Sequence, residues 1–507
     1  MERATRFPVD TPSSSGTGTF GLRGAWILPL FVLVGLMLSW ILASLVNRHG
    51  ALLVLALLLL GPPAVILLAI VVRGGVAKLR ALKAHLAWPH LLWLLVLCSG
   101  FVFRLRDATD VARQAVDSAA TFRIALVGIT AAVLIVRLGL RRPPWLASLF
   151  RGLLAPLAVF GLICLTSTLW SIYPAWTIYK SLEFLVEAAL LAAVLGTLRS
   201  VEDFKTFWDW TWTLYGLLLF SVWIGAVLWP KEALEASYQV GILGYRLMGV
   251  VPGQGANRVG DLGALVGVIA FSRLVSADRQ KSDRVWYAAL LLVCLVTMVF
   301  SQTRSAIAGF LLGSLLILLF TRRVALGAIL SVVGGLLVTA GSVGGLIWAF
   351  LLRGDTQADI SSFSGRLRMW SFAWQKLMEH PWTGLGAYAG GPFAVLSELK
   401  GRVGPLHSDY VEILVGTSFW GLIPILIALF GTWWLLIRYV RRFSSMPLQR
   451  QLALEALAVL AVLSLRSVFM TLLVLHPPLH FLAVLGYAEF LRRRQQDGPG
   501  AVALQSG

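Results

Sequence analysis

The sequence predicts an all-α, polytopic membrane protein with about 12–14 transmembrane helices, and three observations support this fold class. The 507 residues are 58% apolar. Only 13% are charged, about half of the ~25% that is usual in globular proteins. Apolar tracts close to the length that a helix needs to cross a bilayer recur without a polar domain between them. These features exclude a soluble enzyme with one anchor, and also a β-barrel, whose strands alternate apolar and polar residues.

Fourteen tracts are predicted to span the membrane. They are residues 25–46, 51–72, 86–103, 121–140, 152–170, 181–198, 209–229, 259–275, 285–302, 305–320, 324–352, 411–437, 453–475 and 477–491. The first tract is longer than the apolar part of a secretory signal, so we interpret it as a retained span. The resulting divisions are a cytoplasmic leader (1–24), transmembrane helices 1–11 (25–352), a long periplasmic loop (353–410), transmembrane helices 12–14 (411–491) and a cytoplasmic tail (492–507).

The basic residues predict the orientation, because lysine and arginine are enriched in short cytoplasmic connections. With the N-terminus inside, 26 of the 43 lysine and arginine residues face the cytoplasm. Both termini of this multi-pass protein are then cytoplasmic. The formal net charge of +19 does not indicate a nucleic-acid partner, because the basic residues do not cluster on a soluble face.

The long periplasmic loop is predicted to contain an amphipathic helix. Within residues Arg366–His380, apolar side chains recur at helical spacing and end at the His380–Pro381 step. This pattern is typical of a helix that lies on a membrane surface. The apolar residues are Leu367, Trp370, Phe372, Trp374, Leu377 and Met378.

Ionisable residues in or beside apolar spans are costly, and we treat them as candidate site residues. Arginines suit phosphate oxygens because the guanidinium group is a rigid fork of donors. We therefore expect the outer side to bind an anionic lipid head group, a diphosphate in particular. One alternative is that each arginine contacts ordinary lipid phosphates. Another is that Lys180 forms an internal ion pair with Glu183 and Glu187. The candidates are Lys180, Arg246, Arg258, Arg304, Arg366, Arg368 and Arg466.

His407 is the candidate proton acceptor, because a neutral imidazole can take a hydroxyl proton near neutral pH. Asp409 follows it closely and is a candidate to orient the ring, although a structural or solvated histidine is the alternative. We expect no cofactor and no metal. Asp107 and Asp110 have the chemistry to hold a divalent ion, but the arginines around them favour a salt-bridged turn.

Together these segments resemble the O-antigen ligase and O-antigen polymerase superfamily, which includes bacterial exopolysaccharide polymerisation proteins. The resemblance covers roughly residues 165–440. The matching segments are Ser171–Ser181, Val251-Pro252-Gly253 followed by Asn257-Arg258 and Gly260, Thr303-Arg304-Ser305, Gly365-Arg366 with Trp370, His380-Pro381 with Gly384-Leu385-Gly386, and His407-Ser408-Asp409-Tyr410 before a span with Gly421-Leu422.

The resemblance implies an inverting, metal-independent glycosyltransferase with a periplasmic active site. Its donor would be a glycan on undecaprenyl diphosphate, bound by Arg304 and Arg366, with His407 as catalytic base. Apart from these three residues, we expect substrate contacts from Lys180, Arg246, Asn257, Arg258, Arg368, Trp370, Asp409, Tyr410 and Arg466.

The acceptor would be a growing glycan in a polymerase, or lipid A core in a ligase. The Pro-Gly…Asn-Arg…Gly segment resembles the exopolysaccharide type most, which favours the polymerase. Membrane lipids and proteins of polysaccharide assembly are further expected partners. A transporter or flippase of anionic lipid-linked glycans is the alternative function, which would need charges through both leaflets.

Overall fold

The computed structural model describes residues 50–82, 86–102, 118–141, 145–236, 245–276, 281–321, 365–400, 405–443, 446–474 and 478–496. The chain divides into two compact units, Met1–Ala69 and Ile70–Gly507. In the first unit, the described residues are the first part of one helix. The second unit contains the candidate site.

The described residues are almost entirely helical, which confirms the predicted all-α class. The helices are α1 (Gly50–Ala81), α2 (Trp88–Cys98), α3 (Ser118–Arg141), α4 (Trp145–Leu149), α5 (Leu154–Thr166), α6 (Pro174–Leu195), α7 (Val201–Leu228), α8 (Pro230–Ala233), α9 (Ala256–Val275), α10 (Lys281–Ser301), α11 (Arg304–Phe320), α12 (Arg366–Glu379), α13 (Ser397–Lys400), α14 (Asp409–Arg442), α15 (Pro447–Phe469) and α16 (Leu479–Gln496).

Short segments complete the described elements. A 3₁₀ turn follows α2 at Ser99–Val102, another follows α5 at Ser167–Leu169, and a π-helical segment spans Gly390–Leu396. Two small antiparallel hairpins lie between α8 and α9. They pair β1 (Leu234–Ala236) with β2 (Tyr245–Leu247), Leu234 opposite Leu247, and β3 (Gly249–Val250) with β4 (Gly253–Gln254), Gly249 opposite Gln254.

Twelve of the fourteen predicted spans coincide with described helices, and the other two, 25–46 and 324–352, lie outside the described residues. Among the described residues, five helices are long and apolar enough to cross a membrane. These are Ser118–Leu140, Val201–Leu228, Asp283–Ser301, Asp409–Arg442 and Pro447–Phe469. Three shorter apolar helices, Trp88–Val102, Leu154–Leu169 and Arg304–Phe320, match further predicted spans.

Glycines allow the helices around the site to pack closely. A Cβ atom at Gly263 of α9 would lie 3.1 Å from the carbonyl oxygen of Cys294 in α10. On α11, a Cβ at Gly313 would lie 2.8 Å from the carbonyl oxygen of Ala458 in α15. Small residues at such crossings are typical of membrane helices, since van der Waals contact is a main attraction between them. The glycines therefore set how closely α9, α11 and α15 approach their neighbours.

The predicted amphipathic helix is present as α12, and it packs on the protein through Met369 and Ala373, which the apolar pattern did not include, together with Leu377, Trp370 and Phe372, which it did. Met369, Ala373 and Leu377 are buried one turn apart, against a cluster that includes Val395 and Val415. Three apolar residues of the predicted surface face, Leu367, Trp374 and Met378, are 44–50% exposed. The helix thus has two apolar faces, one on the protein and one exposed.

The long helix α14 is interrupted at Ser418, whose φ of 56° and ψ of −156° are not helical. The interruption leaves carbonyl groups of the preceding turn without helical partners. The chain after α12 supplies the missing donors. The amides of Leu385 and Gly386 donate to the carbonyls of Val415 and Gly416, both at 2.9 Å, and the Ser418 hydroxyl donates to the carbonyl of Pro381. The segment after α12 is therefore fixed to the start of α14.

The glycine packing generates a stability prediction. Gly313→Ala should lower the unfolding temperature in detergent, because the new methyl group meets the backbone of Ala458 and overpacking costs about 1–3 kcal/mol. Gly216→Ala is the matched control, since a Cβ at Gly216 in α7 has no atom within 4 Å. Thermal unfolding of both variants checks this. Equal unfolding temperatures would contradict the inferred contact.

Candidate functional site

Arginines from five separate elements converge at the end of the bundle where α9, α11, α12 and α14 begin. Burial lowers the pKa of Arg366, and the positive charges of Arg466 and Arg304 lower it further. Burial also lowers the pKa of Arg246. The carboxylate of Glu235 partly opposes this shift, and the positive charge of Arg304 adds to it. We call this group the arginine cluster. Its members are Arg246 of β2, Arg258 of α9, Arg304 of α11, Arg366 of α12 and Arg466 of α15.

Arg466 lies at the centre of the arginine cluster and is only 1% exposed. Its Nε donates to the carboxylate of Asp261, and its Nη1 donates to the hydroxyl of Ser305. Arg258 lies within electrostatic range of Arg466 and of the carboxylates of Asp261 and Asp409. The guanidinium carbon of Arg366 is 5.9 Å from the centre of the Phe469 ring, about one turn beyond Arg466 on α15. These contacts bring the starts of α9, α11 and α12 to one end of α15.

The turn that carries Arg304 depends on a close approach to α9. A Cβ atom at Gly260 would lie 2.6 Å from the Cβ of Thr303, so only glycine lets α9 and this turn meet without displacement. Gln302 has a left-handed φ of 52°, and its side-chain amide donates to the carbonyl of Tyr245 at 2.7 Å. The turn is thereby tied to β2, the strand that carries Arg246.

His407 lies in a short segment, residues 405–408, that leads into α14 and is held by α12. The indole nitrogen of Trp370 donates to the carbonyl of Leu406 at 3.0 Å, and the amide of Leu406 donates to Glu412 at 3.0 Å. Trp370 and Arg366 are four residues apart on α12 and so share one helix face. His407 follows Leu406 with a left-handed φ of 57°. Its backbone is therefore adjacent to the helix face that carries Arg366.

Asp409 joins this segment to the chain that follows α15. Its carboxylate is fully buried and accepts the amides of Leu472, Leu473 and Val474 at 2.7, 2.9 and 3.3 Å. One residue earlier, the carbonyl of Thr471 accepts Arg258 Nη2 at 2.8 Å. The segment of His407 and the arginine cluster thus meet at residues 471–474. Because the Asp409 oxygens bind backbone amides, its predicted contact with a substrate stays a prediction.

Three other predicted substrate contacts have partners near the site. The hydroxyl of Tyr410 lies 2.9 Å from that of Ser467, the residue after Arg466. The side-chain oxygen of Asn257 lies 3.5 Å from Arg246 Nη2. Trp370 anchors the histidine segment through the hydrogen bond given above. All three are positioned beside the arginine cluster, and their contact with a substrate remains a prediction.

Two residues predicted to contact the substrate, Lys180 and Arg368, have no described contact with the arginine cluster. Lys180 is buried and forms an ion pair with Glu183, with its ammonium 5.6 Å from the Trp176 ring centre and 4.8 Å from that of Tyr179. This geometry agrees with the internal-ion-pair alternative. Arg368 is exposed on α12. None of the contacts described for these two side chains connects them to the arginine cluster.

The sequence did not indicate the carboxylate that pairs with Arg466, nor the cavity beside it. Asp261 lies one turn after Arg258 inside a predicted span, so its cost in an apolar tract was a usable signal. A cavity of about 120 Å³ opens beside these two residues. Its other polar lining residues are Ser99, Arg123, Tyr215, Gln254 and His480.

The arrangement can bind an anion and place a base near it. Guanidinium groups in a shielded site attract phosphate oxygens strongly, and the beginnings of helices favour negative charge. Among the described residues, no group of three or more His, Cys, Asp or Glu side chains is arranged to hold a metal ion. Asp107 and Asp110 lie outside the described residues.

The comparison with known families covers part of this site, while Arg246, Arg258 and Arg466 lie outside the matched residues. A family model described as O-antigen ligase matches residues 288–426. The match begins in α10, ends in α14 and contains Arg304, Arg366 and His407. It confirms the resemblance to the O-antigen ligase and polymerase superfamily. No curated protein matches the chain.

The buried contacts of Asp409 generate a prediction. Asp409→Ala should lower the free energy of unfolding by about 2–5 kcal/mol, because it leaves three buried amides unpaired at about 1–3 kcal/mol each, partly relieved by local movement. Glu398→Ala is the control, since its exposed ion pair with Lys376 is worth about 0–1 kcal/mol. Denaturant unfolding measures both. A small effect at Asp409 would mean that residues 471–474 are held in another way.

Proposed function

We propose that the chain transfers a lipid-linked glycan to an acceptor sugar hydroxyl, because residues 288–426 of this multi-pass membrane protein match a family model described as O-antigen ligase. The family match supports a glycosyltransferase-type enzyme. The donor proposed here is a glycan on undecaprenyl diphosphate. The observation that carries this proposal is the convergence of five arginines beside the segment of His407.

The charge balance of the arginine cluster supports a diphosphate ligand. The described carboxylates near its five guanidinium groups are those of Asp261, Asp409 and Glu235, so positive charge is in excess. A diphosphate bound between these groups would reduce their mutual repulsion and accept several charge-assisted hydrogen bonds. Arg466 is buried inside the protein, which argues against its being a simple contact to ordinary lipid phosphates.

In the proposed reaction, His407 accepts the proton of the acceptor hydroxyl. The electron pair of the deprotonated acceptor oxygen attacks the anomeric carbon of the donor sugar as the bond from that carbon to the diphosphate oxygen breaks. The diphosphate leaves with the electron pair of that bond, and the attack from the opposite face inverts the configuration. Arg304 and Arg366 stabilise the negative charge that grows on the leaving diphosphate, which is the kind of contribution that is usually largest in catalysis. In this reaction the arginines take the role that a metal ion has in other glycosyltransferases.

We further propose that this end of the bundle faces the periplasm, with both termini in the cytoplasm of a bacterial inner membrane. The distribution of lysine and arginine along the sequence supports this orientation. The acceptor is a growing glycan in a polymerase or lipid A core in a ligase. The Pro252-Gly253 and Asn257-Arg258 segment favours the polymerase.

The direct test is transfer by the purified protein from undecaprenyl-diphosphate-linked glycan, without ATP and in the presence of a chelator. Longer glycans support polymerisation, and glycosylated lipid A core supports ligation. If the protein forms no product but moves the donor across vesicle membranes, it is a transporter and the proposal is wrong.

His407→Ala should abolish transfer while leaving donor affinity unchanged, because the base acts on the acceptor hydroxyl. His380→Ala is the matched control, since His380 is an exposed histidine at the end of α12 in the same loop. Single-turnover rates and donor binding by the two variants check this. Full activity of His407→Ala would remove the base assignment.

Arg304→Ala and Arg366→Ala should each weaken donor affinity by about 10- to 100-fold, because a hydrogen bond to a charged group contributes about 1.5–3 kcal/mol. Arg441→Ala, an exposed arginine at the opposite end of α14, removes the same charge away from the site. Equilibrium binding of the lipid-linked donor measures the effect. Unchanged affinity in both site variants would leave these arginines as structural residues.

A further inference from the structure

The cavity beside the arginine cluster is chemically different from the cluster itself. Both are bordered by Arg258 and Asp261, so the two spaces adjoin. The cavity extends from there between α2, α7 and α9, where its walls are mainly apolar and include Leu218, Leu262 and Leu265. Its volume of about 120 Å³ has room for several water molecules, and so for a small polar group.

Two hydrogen-bond acceptors at the cavity have no partner among the described residues. Asp261 is 3% exposed and pairs with Arg466 through Oδ1, while its Oδ2 is buried without a hydrogen bond. The side-chain oxygen of Gln254 is likewise buried and unpaired in the described part of the chain. A buried acceptor without a donor is costly, which indicates that a donor from a ligand or from water belongs here.

A third acceptor is the phenolic oxygen of Tyr215, and the tautomer of His480 shows that this oxygen is free to accept. The Nε2 of this histidine lies 2.7 Å from the carbonyl oxygen of Leu472, which only accepts, so Nε2 carries the proton. In the neutral ring Nδ1 is then an acceptor, and the hydroxyl of Tyr215 donates to it at 3.2 Å. The phenolic oxygen of Tyr215 keeps its lone pairs for a donor in the cavity.

This inventory disfavours a phosphate in the cavity and favours a hydroxylated ring. A fully ionised phosphate has acceptor oxygens only, so it could pair with Arg123 and Arg258 but would leave the acceptors of Asp261, Gln254 and Tyr215 without a donor. Sugar hydroxyls donate to such acceptors and accept from Arg258. The carbon-bound hydrogens of a sugar ring suit the leucine side chains of the walls.

We propose that this cavity is a subsite for one sugar ring, adjoining the diphosphate at Arg258 and Asp261. This subsite rests on the proposed function, and it places a sugar ring in the cavity and the diphosphate at the arginine cluster. The sugar is either the first residue of the lipid-linked donor or the terminal residue of the acceptor. Gln254 and Tyr215 are the residues that recognise its hydroxyl groups.

The test compares two lipids, undecaprenyl diphosphate without a sugar and the lipid-linked glycan, on Gln254→Leu and Tyr215→Phe. If the sugar belongs to the donor, each variant should bind the lipid-linked glycan about 10-fold more weakly and the bare diphosphate lipid with unchanged affinity. If it belongs to the acceptor, both affinities stay unchanged and the KM for the acceptor rises about 10-fold. Gln449→Leu, a half-buried glutamine near the other end of α15, is the control.

Two outcomes would overturn the subsite. An equal loss of affinity for both lipids would assign the cavity to the diphosphate, and unchanged affinities with an unchanged acceptor KM would leave it without a role in recognition. Unfolding temperatures verify that each variant is folded, and Tyr215→Phe preserves the shape of the side chain if Gln254→Leu does not fold. Failure of the proposed function is distinct, since the unmodified protein would then neither bind the donor nor transfer its glycan.

Discussion

The buried ion pair between Arg466 and Asp261 is the interaction on which the rest of the site depends. It joins α15 to α9, and the second contact of Arg466, with Ser305, joins both to α11. Removing one partner of a buried pair leaves an uncompensated charge and typically costs about 3–5 kcal/mol. The pair thus determines where the helices that carry Arg258 and Arg304 begin relative to one another.

A cluster of like charges persists in a folded protein only when other interactions oppose the repulsion. Here that opposition comes from the buried carboxylates of Asp261 and Asp409, from backbone carbonyls such as that of Thr471, and from glycines that allow close packing. These interactions position the guanidinium groups without neutralising all of them. The remaining positive charge is what makes the site suitable for an anionic leaving group, in agreement with the proposed function.

The position of the histidine depends on a different constraint, the interruption of α14. An unpaired backbone carbonyl is costly inside a membrane, so the break at Ser418 favours donors from elsewhere in the chain. The segment after α12 provides them at Val415 and Gly416, and α12 in turn holds Leu406 through Trp370. The break, the loop and the segment of His407 are therefore one connected unit. A continuous helix would leave the loop without this attachment.

The sequence by itself determined the fold class and most of the helices, because the burial of apolar tracts in a bilayer depends on length and composition alone. It also indicated which charges are costly, and these candidates include all five members of the arginine cluster, together with Lys180 and Arg368, which no described contact connects to it. It did not identify their partners. Asp261 is 205 residues from Arg466 in the chain, and Asp409 binds amides 63–65 residues away.

Such partners depend on how helices cross and where one of them is interrupted, which apolar periodicity does not specify. The same applies to the face through which α12 packs, and to the cavity of Gln254 and Tyr215. Only the tertiary structure decided these features, because each is made of groups from separate helices whose hydrogen-bonding needs are met by one another.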